Sequence, residues 1–209
     1  MTTQKKYELL QNDTINHNGR TLYRIKAITT FGTVFAGTLG GYIEKESNLK
    51  HLGNAWVYDN AEVYDSAEVY GNAKVYDSAE VYGNAEVYGN AEVWGSAKVW
   101  GNAEVWGSAE VYGNAKVYDS AEVWGSAKVR SFAVLSERKM IFWASNVGTE
   151  NGTLTVYNGK DGLLVTRGCF TGTVEEFLAK SDEVHDEKTK REYQLLIEVA
   201  KSRILGEAT

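Results

Sequence analysis

Four side chains here are suited to acid–base or nucleophilic chemistry: His17, His51, His185 and Cys169. No set of His, Cys and Asp has metal-ligand spacing. No phosphate-cradling loop, GxGxxG turn or GxSxG elbow is present. Cys169 has no second cysteine for an internal disulfide, which fits a reducing cytoplasm, and its simplest role is that of a small hydrophobe. These readings predict no catalytic residues, no metal and no cofactor, and so a chain that is not an enzyme. A different set is suited to binding. Lys160 and Arg167 supply positive charge, Tyr157 and Phe170 supply flat rings, and Asn151 opens the glycine-bearing loop Asn151-Gly152-Thr153. Together they could hold an anionic, planar ligand such as a nucleotide.

A second candidate surface comes from a repeat. From Asn54 to Lys128 a unit of six residues recurs, read as Ala, Glu or Lys, Val, Tyr or Trp, Gly or Asp, Asn or Ser. A period of six fits no helix face, which needs 3.5 or 3.6. It fits a short strand followed by a corner. Strand alternation puts Ala and Val on one side and the charge and ring on the other. The Ala/Val side must face inward, because Glu and Lys are not buried unpaired. Gly or Asp followed by Asn or Ser is turn chemistry. Three such strands close a coil of 18 residues with a triangular section. Folded at that period, the rings form three columns, one of them Tyr70, Tyr88, Trp106 and Trp124. The rings either cover one another or form a ladder for oligomer contact or for stacking bases or sugars. The charge column beside these four residues is Glu68, Glu86, Glu104 and Glu122, all of one sign. It implies solvated repulsion, a basic partner, or a positive segment of the same chain laid against it.

This pattern resembles the hexapeptide-repeat proteins, which fold as left-handed parallel β-helices. It matches them at Val and Ala and departs where a large aromatic follows each Val. The resemblance implies a mainly β chain: a three-sided left-handed parallel β-helix over residues 34–147, an N-terminal β-cap over 1–33, and a C-terminal α+β module over 148–209. The column Val57, Val75, Val93, Val111, Val129 and Val147 is expected to stack inside. The best-known activity on that fold is acyl transfer with a histidine as general base. No histidine falls between Asn54 and Val147, so only His51, at the mouth of the helix, could be recruited.

The flanks read as caps. Lys6–Leu10 and Thr21–Thr29 are strand-like and joined by a turn containing Asn18-Gly19. After Val147, two strands around Asn158–Gly162 are followed by the capping box Thr173-Val-Glu-Glu176 and by a helix over Glu187–Leu205, a ββαα order. The text NGTLTVYNGKDGLLVTRGCFTGTVEEF also resembles a segment of bacteriophage and prophage proteins. That resemblance implies a phage-encoded binding protein in the host cytoplasm, countering host defence by binding a host protein or sequestering a nucleotide signal. A hexapeptide-repeat acyltransferase and a purely structural spacer are the alternatives. A symmetric homo-oligomer is expected. A net charge of −6 argues against general nucleic-acid binding. No signal-peptide pattern and no run of 18 apolar residues is visible, so no membrane partner is expected.

Overall fold

The computed structural model describes residues 4–206. Its shaft is a β-solenoid of about five coils in which, from Trp56 to Leu135, each strand lies beside one 18 residues away. One sheet has eight strands and two have five, and a separate antiparallel sheet has four. Pairing is parallel and in register: Val57 meets Val75, Val75 meets Val93, and the series continues through Val111 to Val129. Every Ala and Val of the repeat is buried. The core is therefore two small apolar side chains per hexad, stacked along one axis.

The corners explain the Gly/Asp position. Gly83 and Gly101 hold φ of +71 and +73, and an added Cβ would lie 2.9 and 2.7 Å from the backbone nitrogen of the next coil. Asp adopts the same left-handed conformation at Asp59, Asp65, Asp77 and Asp119. There its carboxylate offers an acceptor: Gly95 N–H donates to Asp77 Oδ2 at 3.0 Å. Asparagines at the next position form a side-chain ladder, with Asn54 donating to Asn72 and Asn72 to Asn90, each at 3.0 Å.

Each end is closed by irregular chain. The hairpin Tyr7–His17 and Arg20–Ala27 turns at Asn18 and Gly19, both at positive φ. It pairs antiparallel with Leu39–Ile43 and so extends one face of the shaft. Tyr7 and Trp56 are wholly buried beneath it.

The last rung of the shaft is Val134–Leu135. Ile141 still packs in the solenoid core, but Val147 leaves its expected column. It pairs with Gly152 in the four-stranded sheet formed by Ile141–Val147, Gly152–Gly159, Gly162–Arg167 and Phe170–Thr173. The C-terminal module is thus four strands and two helices, not ββαα. Ile141 and Val147 are six residues apart and mimic the hexad phase, which hid the first of these strands. Helix α1 (Val174–Val184) starts with the reciprocal box between Thr173 and Glu176, and α2 (Glu187–Leu205) ends at Gly206, φ +72. The face of α2 bearing Tyr193, Ile197, Ala200 and Ile204 is buried within the module. No helix among the described residues is long and apolar enough to cross a membrane.

Candidate functional site

The C-terminal cap contains a cavity of about 230 Å³. One wall is the turn after Val147 and the loop Arg167–Phe170; the other is α1 and the start of α2. Two of the five predicted binding residues, Arg167 and Phe170, line it. Arg167 is half-buried and lies across the turn. Its Nε donates to the Tyr193 hydroxyl at 3.1 Å and its Nη2 to the Val147 carbonyl at 3.1 Å. Glycine is needed beneath it, because a Cβ at Gly152 would sit 2.4 Å from Nη1. Phe170 stacks obliquely on Phe177, which meets Tyr193 edge-on.

The other three residues lie elsewhere. Tyr157 is wholly buried, and its hydroxyl is spent on Arg130 of the last coil and on Thr166. Lys160 is exposed at the far hairpin turn, where its N–H donates to the Phe132 carbonyl at 2.9 Å. Asn151 is exposed at φ +49, ending the turn whose Thr149 and Glu150 line the cavity.

The structure adds Cys169, Lys180, Ser181, His185 and Tyr193 to the lining. His185 Nδ1 lies 3.1 Å from Ser181 Oγ, one helical turn away. Glu150 is the single acidic side chain of this wall, set against Arg167 and Lys180. These residues are spread over 45 positions of sequence, and no local spacing groups them. The adjacent pair Arg167 and Phe170 was the one available signal.

The aromatic columns are stacks along the shaft. Tyr70, Tyr88, Trp106 and Trp124 follow one another at 4.8, 5.7 and 5.8 Å between ring centroids, with interplanar angles of 2, 2 and 8°. Trp143 closes the column edge-on at 4.5 Å. Neighbours already face each other, so no planar ligand enters between them. Tyrosine hydroxyls donate to the charge column: Tyr70 to Glu86 at 2.7 Å and Tyr88 to Glu104 at 3.0 Å. Burial and these carboxylates push the Tyr88 phenol up to about 12. The acidic column is met at both ends by the chain's own cations, Lys50 on Glu68 at 2.6 Å and Arg138 on Glu122.

The histidines divide. Lys6 N–H donates to His51 Nδ1 at 3.3 Å, and the His51 ring packs on Tyr7 with centroids 4.5 Å apart; burial holds its pKa below the usual imidazole value. That side chain is part of the N-terminal closure. His17 lies on the outer face of the shaft, with Nδ1 2.5 Å from Glu62 Oε2 and its ring 4.8 Å from Tyr64.

No family model matches the chain. A stretch of 38 residues is 50% identical to an uncharacterised acetyltransferase, YdcK, of Escherichia coli (strain K12), covering 18% of this chain and 12% of that protein. The chain therefore corresponds to a small part of that relative's length. The match corrects the expectation that the chain is no enzyme: the relative carries an acetyltransferase name, so the absence of familiar catalytic motifs is not grounds for exclusion.

Proposed function

We propose that the cap cavity is a binding site for a small anion carrying one flat ring, of the nucleotide class. The observation that carries this reading is Arg167. It is half-buried in the wall, its hydrogen bonds go to a phenol and a carbonyl, and neither neutralises its charge. A guanidinium in that position favours an anion, and Phe170 beside it offers a ring face. A cavity of about 230 Å³ suits one ring and one anionic group, not a dinucleotide. In the fuller reading the protein is phage-encoded and sequesters a host nucleotide signal, or occupies a host protein, to counter defence. The resemblance of the C-terminal segment to phage proteins supports that origin.

Thermal unfolding in the presence of mononucleotides and cyclic nucleotides tests the site. A ligand at about 100 times Kd stabilises the folded form by about 2.7 kcal/mol. Lys180→Ala, at an exposed position, should abolish that shift while leaving the ligand-free melting curve nearly unchanged. Phe170→Ala should abolish it too, with a lower ligand-free midpoint from the lost packing on Phe177. A panel with no shift, or an equal shift in both variants, would remove the proposal.

A second reading, acyl transfer, is favoured by the acetyltransferase relative. The residues suited to it are His17 and Glu62, since a carboxylate beside one ring nitrogen orients imidazole as a general base. Release of free coenzyme A from acetyl-coenzyme A with an added amine or alcohol as the acetyl acceptor, whose proton His17 takes, is the expected result, and it should be lost in His17→Ala. Turnover that survives that change would place the chemistry elsewhere.

A further inference from the structure

Beyond any ligand in the cap, the aromatic columns form continuous paths of oxidisable rings. We propose that the column Tyr70, Tyr88, Trp106, Trp124 and Trp143 carries one-electron oxidising equivalents along the shaft. Three features support this. The rings are in contact, with no centroid separation above 5.8 Å, so each step is a short jump between touching π systems. Trp124 is 44% exposed and gives a diffusing oxidant access at one end. At the other end each tyrosine hydroxyl is hydrogen-bonded to a carboxylate, Glu104 for Tyr88 and Glu86 for Tyr70. A phenol loses its electron readily only if its proton has somewhere to go, and an ionised carboxylate accepts it.

The balance is as follows. A one-electron oxidant of the inorganic-radical class takes an electron from the Trp124 indole and is reduced. Trp106 returns an electron to Trp124, and Tyr88 returns one to Trp106. As Tyr88 loses its electron its phenolic proton passes to Glu104, leaving a neutral tyrosyl radical and restored indoles. The same exchange moves the radical on to Tyr70, with its proton to Glu86 and the first proton returned to Tyr88. The net change is one electron lost from a tyrosine and one gained by the oxidant.

The experiment is pulse radiolysis with azide radical as the oxidant, followed by optical absorption. The background is Trp94→Phe with Trp100→Phe, which removes the indoles of the other two columns. The remaining tryptophan outside the path, Trp56, is wholly buried. Circular dichroism and melting curves confirm that the Phe variants keep the shaft. The expected result is decay of the tryptophanyl signal matched by growth of a tyrosyl signal, at a rate independent of protein concentration. Adding Tyr70→Phe and Tyr88→Phe, which preserves the stack and removes both hydroxyls, should abolish that growth and lengthen the tryptophanyl lifetime. Absence of tyrosyl growth in the background, growth that scales with protein concentration, or growth that survives the two tyrosine changes would each overturn the proposal.

Discussion

The two ends of the solenoid satisfy their unpaired backbone groups with different chemistry. Inside the shaft the parallel ladder alternates: Glu92 N–H donates to the Ala109 carbonyl of the next coil at 3.0 Å, while the in-register pairing of Val93 with Val111 turns the Val111 N–H back toward the coil before. Each end coil is therefore left with both N–H and carbonyl groups to satisfy. Donors close the first end: Lys6 Nζ reaches the Ala55 carbonyl at 2.8 Å, the Tyr7 hydroxyl the Leu49 carbonyl at 2.7 Å, and Asn48 Nδ2 the Ala67 carbonyl at 2.9 Å. Both kinds close the last: Thr155 Oγ1 takes the Lys128 N–H at 3.1 Å and the Tyr157 hydroxyl the Arg130 N–H at 3.3 Å, while Asn158 Nδ2 donates to the Val134 carbonyl at 3.0 Å and the Lys160 N–H to the Phe132 carbonyl at 2.9 Å. A parallel solenoid is polar along its axis, so its two caps cannot be exchanged. The first cap puts a cation in a dry place, whereas the last meets its coil with uncharged hydroxyl, amide and backbone groups.

The largest effect tests whether the caps must keep a fixed face. Deleting six residues, 79–84, turns everything downstream by one face relative to the hairpin and breaks the columns. Deleting the 18 residues from Ala79 to Ser96 removes one whole coil and keeps every column in phase. Circular dichroism and melting should show the shorter deletion unfolded or aggregated and the longer one cooperative. Equal behaviour of the two would mean that face registry does not matter.

The next effect compares the ends. Tyr157→Phe strands the Arg130 N–H and the Thr166 hydroxyl in a buried site, an expected loss of about 1–3 kcal/mol. Lys6→Met strands the Ala55 carbonyl but also relieves the cost of burying an ammonium, so its loss at neutral pH should be smaller. Urea unfolding of both variants checks the order; a larger loss for Lys6→Met would invert the comparison.

Lys6 also makes the first end pH-dependent. Burial lowers its pKa from 10.5 to about 8. Between those values the unfolded chain holds a proton that the folded chain has released, so the Lys6 contribution raises stability with pH. Over pH 8–10 the wild-type midpoint should rise relative to that of Lys6→Met. A constant difference would mean that the ammonium is not desolvated.

The smallest effect lies in the shaft between the ends. Tyr88, raised to about 12, contributes stability fully present below the ordinary phenol value of 10.0 and lost as pH climbs through 12. An absorbance titration should show the ladder tyrosines ionising late, and Glu104→Gln should bring Tyr88 down. An unchanged titration in that variant would show that the hydrogen bond plays no part.

The shaft was legible because each hexad states inside, outside and corner in six letters. The strand Ile141–Val147 was not, since its spacing continued the hexad while its partners lay ahead in Gly152–Gly159. The cap cavity was half legible. Arg167 and Phe170 are neighbours in sequence, but Lys180 and His185 join them only once α1 packs against the sheet. Tyr157 misled for a plain reason: composition identifies a phenol and does not say which way it faces.

By itself the sequence determined a three-sided coil with Val and Ala inside, because a period of six with charges at every sixth position leaves only one face to bury. It also determined the columns, because any 18-residue coil brings equal letters together. Tertiary structure decided where the coil stops, which groups satisfy the backbone left open at each end, and which side chains surround the cavity. Those outcomes depend on contacts between segments far apart in the chain, and the local pattern of a repeat contains no information about what lies beyond its last coil.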